Sequence, residues 1–136
     1  SAGNLYGTTW LGGVSGAGAV FKLTPGQAGT WSETVLHSFN NKDGSFVIAG
    51  VVFDTSGNLW GTTSGSGTAD LGSVYKLVPN QDGTWATTVL HTFLDKAVNG
   101  GVVLDGAGNA YSTSSQGGNL SGCGGTGCGP VFEVVP

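Results

Sequence analysis

His37 and His91 are the only two histidines of the 136-residue chain, and they stand at equivalent places in two similar stretches. These are Thr34-Val35-Leu36-His37-Ser38-Phe39 and Thr88-Val89-Leu90-His91-Thr92-Phe93. Two imidazoles could share a metal ion or serve as acid and base. A catalytic site, however, needs one asymmetric constellation, whereas recurrence once per repeat is what packing requires. By strand alternation Val35, His37 and Phe39 share one face with Leu36 on the other, which makes each histidine a half-buried position with a satisfied ring N–H. The carboxylates are Glu33, Asp43, Asp54, Asp70, Asp82, Asp95, Asp105 and Glu133. Hydrolysis of a glycoside would need two of them across a cleft, roughly 5 to 9 Å apart. Asp54 and Asp105 open Asp-x-x-Gly-Asn turns, and Asp43-Gly44 and Asp82-Gly83 are turn dipeptides, so turn chemistry accounts for these acids better than catalysis. Calcium held by Asp54 with Asn58, or Asp105 with Asn109, is a weaker reading of the same turns. No nucleophile–base–orienter set presents itself, and the chain reads as a non-enzyme with no cofactor and no metal.

Cys123 and Cys128 lie in a run of small residues, Ser121 to Gly129, flexible enough to bring the sulfurs together. A disulfide formed in an oxidising compartment is the expectation. Its short loop gives it about 2 kcal/mol in the chain-entropy picture. Half of a zinc site is the rival, but no further ligand lies close in sequence.

Trp10, Trp31, Trp60 and Trp85, with Tyr6, Tyr75 and Tyr111, could stack on sugar rings, flanked by Asn, Thr and Ser as hydrogen-bonding partners. Trp31 matches Trp85 and Tyr6 matches Trp60 between repeats, so packing between repeats explains them better. Trp10 has only Ser64 and Ser115 as counterparts, which makes it the candidate ligand-facing aromatic. Asn119-Leu120-Ser121 fits the glycosylation sequon and marks Asn119 as a possible glycan site. The glycines at 12, 13, 16, 18, 65, 67, 117 and 118 precede strands. A phosphate cradle would have to open a helix, so these are hairpin loops.

The elements that must position these residues come from an internal repeat. Gly3-Asn4-Leu5-Tyr6-Gly7-Thr8-Thr9 recurs as Gly57-Asn58-Leu59-Trp60-Gly61-Thr62-Thr63 and, more loosely, as Gly108-Asn109-Ala110-Tyr111-Ser112-Thr113-Ser114. Val20-Phe21-Lys22-Leu23 recurs as Val74-Tyr75-Lys76-Leu77 and Val131-Phe132-Glu133-Val134. Gly50-Val51-Val52-Phe53-Asp54 recurs as Gly101-Val102-Val103-Leu104-Asp105. With the histidine blocks, four short strands recur about every fifty residues, separated by Gly, Asp and Pro turns, the blade pattern of a β-propeller. Repeat boundaries fall at 1–54, 55–105 and a partial 106–136.

This motif order resembles the tandem-repeat family called GloVer, found in secreted bacterial "choice-of-anchor" proteins, and the resemblance spans essentially the whole chain. It implies export to the cell exterior and a propeller-like repeat. It implies no established activity, and therefore no catalytic residue.

Composition agrees with an all-β chain: 27 glycines, 9% charged residues and no Arg. The net charge of −4, with Lys22, Lys42, Lys76 and Lys96 as the only cations, excludes the basic stripe that nucleic acid or anionic lipid demands. The longest apolar run, residues 47–53, is too short to cross a bilayer. A start at Ser1 fits a mature secreted chain or a shortened one.

Naming the strand types a (Gly-Val-Val-Phe-Asp), b (Leu-Tyr-Gly-Thr-Thr), c (Val-Phe-Lys-Leu) and d (the histidine block), the chain reads b-c-d, a-b-c-d, a-b-c. That is all-β, propeller-like, antiparallel and about two and a half blades. Closed propellers need about four blades or more. The first unit lacks an a strand and the last lacks a d strand, so uncharged edges should seek partners. Three outcomes would satisfy them: a piece of a larger propeller, a ring of several copies, or a head-to-tail filament. The favoured expectation is a secreted structural protein whose copies join through unpaired strands into a filament or other homo-oligomer. A carbohydrate-binding or adhesion module is the alternative, and a propeller-type hydrolase or lyase a third reading.

Overall fold

The computed structural model describes residues 3–65, 72–93, 98–119, 121 and 123–136. Asp70, Asp95, Lys96, Gly67 and Leu120 lie outside the described residues. Ten strands run in chain order: β1 (Leu5–Thr9), β2 (Ala19–Pro25), β3 (Trp31–Ser38), β4 (Val52–Phe53), β5 (Leu59–Thr63), β6 (Ser73–Pro79), β7 (Trp85–Thr92), β8 (Val103–Leu104), β9 (Ala110–Thr113) and β10 (Val131–Val134). They form three antiparallel sheets of sequential neighbours, β1-β2-β3, β4-β5-β6-β7 and β8-β9-β10. Each sheet therefore starts on an a strand where one is present. Among the described residues there is no α-helix, and no helix long and apolar enough to cross a membrane.

Turn chemistry fixes the joints. Asp54 accepts the backbone N–H groups of Ser56 and Asn58 at 2.9 Å each, and Asp105 does the same for Ala107 and Asn109. Gly57 and Gly108 supply the positive φ these turns need, 83° and 89°. β2 and β6 stop at Pro25 and Pro79, where no N–H remains to continue the ladder.

Repeat-equivalent residues then build two interfaces. Ala17, Val20, Leu36 and Phe39, in and beside the first sheet, close on Val47, which precedes β4, and on Leu59, Tyr75 and Leu77 of the second sheet. Trp60, Val74 and Phe93, in and beside the second sheet, close on Val98 and Val102, which precede β8, and on Ala110 and Val134 of the third sheet. The middle sheet is thus covered on both faces, and all five residues of β5 are buried. Each interface has the same aromatic contact, Phe39 against Tyr75 (5.0 Å between centroids) and Phe93 against Phe132 (4.5 Å). A hydroxyl tie also recurs: Thr8 donates to the Ala49 carbonyl at 3.0 Å, and Thr62 to that of Gly100 at 2.8 Å.

Alternation fails at the histidine strands. Val20 faces His37 while Phe21 faces Val35, so Leu36 has no residue directly opposite; Leu90 repeats this between Val89 and His91. The extra residue of a β-bulge resets the faces. Leu36 and Phe39 consequently share one core, whereas Val35 is 50% exposed. Val35, His37 and Phe39 do not form one face.

Candidate assembly surfaces and an aromatic groove

His37 is half-buried, with Nε2 3.0 Å from Asp43 Oδ2 and Nδ1 2.8 Å from the Thr87 hydroxyl of the next sheet. With the Nε2 proton donated to the carboxylate, Nδ1 accepts from Thr87. The pair ties the first sheet to the second. His91, expected to be half-buried like His37, is exposed; among the described residues no strand stands to it as β7 stands to His37. The two histidines therefore sit in different settings and form no shared site.

The turn acids are spent locally. Asp54 also accepts from Asn58 Nδ2 (2.8 Å) and Trp60 Nε1 (2.9 Å), so its carboxylate lone pairs are occupied. Partial burial pushes this carboxyl up, but the hydrogen bonds from Trp60, Asn58 and Ser56 outweigh it and hold it at about 2. Asp105 is lowered chiefly by the Asn109 backbone N–H, and Asp82 chiefly by the Thr84 hydroxyl. The Tyr111 hydroxyl donates to Glu133 Oε1 at 2.6 Å and lies 3.2 Å from Asp105 Oδ2. The Glu133 contact above all pushes the phenol up to about 12. Carboxylates so engaged offer little to a cation.

Cys123 and Cys128 are joined, with Cα atoms 5.4 Å apart. Asn119 is exposed, and its side-chain oxygen accepts from the Ser121 N–H and hydroxyl at 3.0 and 2.6 Å.

Trp10 lies at the end of the b strand, 59% exposed. Its ring stands 5.8 Å from Phe46, tilted by 49°. With Thr8, Val47, Ile48 and Ser64 they line an open groove of about 590 Å³. Sequence reading singled out Trp10 and missed Phe46. The signal available was the sequence stretch 40–46, longer than the corresponding stretch 94–97 of the next repeat. Phe46 has φ 57°, a left-handed conformation that costs a bulky residue about 1 kcal/mol or more. Backbone bonds hold it there: its N–H reaches Ala17 O at 2.8 Å, and its carbonyl accepts the Ser64 N–H and hydroxyl at 3.0 and 2.8 Å.

The outer faces of the stack carry more apolar surface. Leu5, Phe21, Leu23 and Trp31 are the equivalents of Leu59, Tyr75, Leu77 and Trp85, which pack into the first interface. Without a sheet on that side, Leu5 is 54% exposed and Trp31 50%. Trp31 thus lacks the packing its repeat position implies, while Trp85 and Tyr6 have it. At the other end Val103, Tyr111, Val131 and Glu133 are equivalent to Val52, Trp60, Val74 and Lys76. Val103 and Val131 are 67% and 73% exposed, against 0% for Val74.

Neither a curated protein nor a solved structure matches the chain. Residues 1–136 match the Gloeobacter/Verrucomicrobia repeat throughout, and the chain belongs to that repeat family.

Proposed function

We propose that this chain is a secreted structural protein, propeller-like in its stacked sheets, whose copies join through incomplete sheets into a filament or other homo-oligomer. One observation carries the reading. Among the described residues β1 and β10 each have a single hydrogen-bonded neighbour, whereas their equivalents β5 and β6 have two. Unpaired ladder groups recruit a strand unless charge or proline blunts the edge. β1 carries no charge and β10 only Glu133. The role is structural, not catalytic: Asp54, Asp82 and Asp105 are engaged in their own turns. The disulfide fits export to an oxidising compartment. Light scattering of the purified chain over a concentration series, followed by electron microscopy of negatively stained material, tests the proposal. Polymers or closed rings are the expected result, and a monomer at every concentration would overturn it.

The Trp10–Phe46 groove favours a second reading, carbohydrate binding, because two tilted, exposed rings match the apolar CH faces of a saccharide. Binding on a glycan array that disappears with Trp10→Ala would support it. An array with no signal on assembled material would dismiss it.

A further inference from the structure

We infer that copies associate head to tail, the outer face of the first sheet (β1-β2-β3) seating on the outer face of the last (β8-β9-β10) of another copy, so that the contact between chains continues the contact within them. It rests on the self-assembly reading and gives that reading a second route beside strand pairing at the β1 and β10 edges: contact through sheet faces.

The two faces of every sheet are chemically distinct. In the middle sheet Leu59, Tyr75 and Leu77 look back toward the first sheet, and Trp60 and Val74 look forward toward the last. Register transfers this polarity to the outer sheets, since Leu5 pairs with Leu23 and Gly7 with Phe21 as Leu59 pairs with Leu77 and Gly61 with Tyr75. The first sheet consequently exposes a backward face built around Leu5, Phe21 and Leu23. The last sheet exposes a forward face built around Val103, Tyr111 and Val131, with the Glu133 carboxylate held by the Tyr111 hydroxyl. Within the chain, a forward Val20 closes on a backward Leu59, Tyr75 and Leu77 in one core. Val131 occupies the position of Val20, and Leu5, Phe21 and Leu23 occupy those of its three partners. The exposed faces thus share the Val20-type position and its three partner positions with the internal core, though the last sheet has no counterpart of Leu36 and Phe39. An isologous dimer would set like against like; a heterologous contact satisfies both faces and propagates. Exposed apolar faces of this kind mark interaction surfaces.

Complementary one-sided variants test this. Leu23→Lys charges the backward face from the central strand β2, leaving the free edge of β1 untouched. Val131→Lys charges the forward face. Each alone should run as a monomer in sedimentation velocity under conditions where the unaltered chain assembles. Mixed in equal amounts they should form one-to-one pairs and nothing larger, because one intact face remains on each. Pair formation also demonstrates that both variants are folded; should Leu23→Lys fail to fold by near-UV circular dichroism, Val35→Lys, on β3 opposite Phe21 and 50% exposed, replaces it and also leaves β1 untouched. Polymers of undiminished length from the folded backward-face variant would overturn face stacking while leaving self-assembly through edges in place. An unaltered chain that stays monomeric throughout would overturn both.

Discussion

β1 and β5 carry nearly the same residues, Leu5-Tyr6-Gly7-Thr8-Thr9 and Leu59-Trp60-Gly61-Thr62-Thr63, in the same register against their c strands. Yet β5 is buried throughout and β1 nowhere fully. Local sequence is therefore not what distinguishes them. What differs is the number of neighbouring sheets, two for β5 and one for β1. A repeat is written for an environment that supplies a neighbour on each side, and the first and last sheets keep residues suited to a contact that the described residues do not supply. The outer face of the first sheet is not of the polar kind that closes a soluble array, since it shows Leu5, Trp31 and Val35.

The largest effect that would break this contrast is at the paired leucines. Leu59→Ala should cost about 2–5 kcal/mol, since a fully buried side chain leaves a cavity between two sheets. Leu5→Ala should change stability by less than about 0.5 kcal/mol in the monomer, being a surface substitution. Urea unfolding at a dilution where the chain does not associate measures both. Equal losses would mean that the outer face is covered within the monomer.

The paired glycines sharpen the comparison. A Cβ on Gly61 would strike the Tyr75 ring, with Cζ 2.5 Å away, and a Cβ on Gly7 would strike Phe21 Cζ at 2.6 Å. The clash is the same but the relief differs. Tyr75 is locked between sheets, while Phe21 is half-buried on an open face and can turn outward. Gly61→Ala should cost roughly 1–3 kcal/mol as overpacking, and Gly7→Ala less than half of that. The same unfolding assay separates them.

Most of the fold was legible because its signals are local. Asp-x-x-Gly-Asn turns, terminal prolines and repeated strand blocks give ten strands in the order observed, and closely spaced cysteines among small residues give the disulfide. The bulges at Leu36 and Leu90 were not legible. A strand with one inserted residue reads as an ordinary alternating strand, and only pairing with Val20 and Phe21, or Val74 and Tyr75, exposes the slip. The unequal fates of His37 and His91 were hidden for a related reason, since burial there depends on a neighbouring sheet that the sequence around the histidine does not encode. Trp10 stood out because its repeat counterparts are serines. Phe46 did not, because its exposure comes from a left-handed backbone conformation that nothing in its residue type announces.

The smallest expected effect, of opposite sign, concerns Tyr75 of the middle sheet. Tyr75 stands where the outer sheets have Phe21 and Phe132, and its hydroxyl is buried with no hydrogen-bond partner among the described residues. Burial pushes the phenol's ionisation upward, as expected for a group without a compensating donor. A buried hydroxyl left unbonded carries a desolvation cost that a phenyl ring avoids. Tyr75→Phe should therefore leave stability unchanged or raise it by up to about 1 kcal/mol, with the ring contact to Phe39 retained. A loss of more than about 1 kcal/mol would show that the hydroxyl is satisfied, most simply by an enclosed water. In that case the interior interface would differ from the two outer faces in its hydration as well as in its coverage.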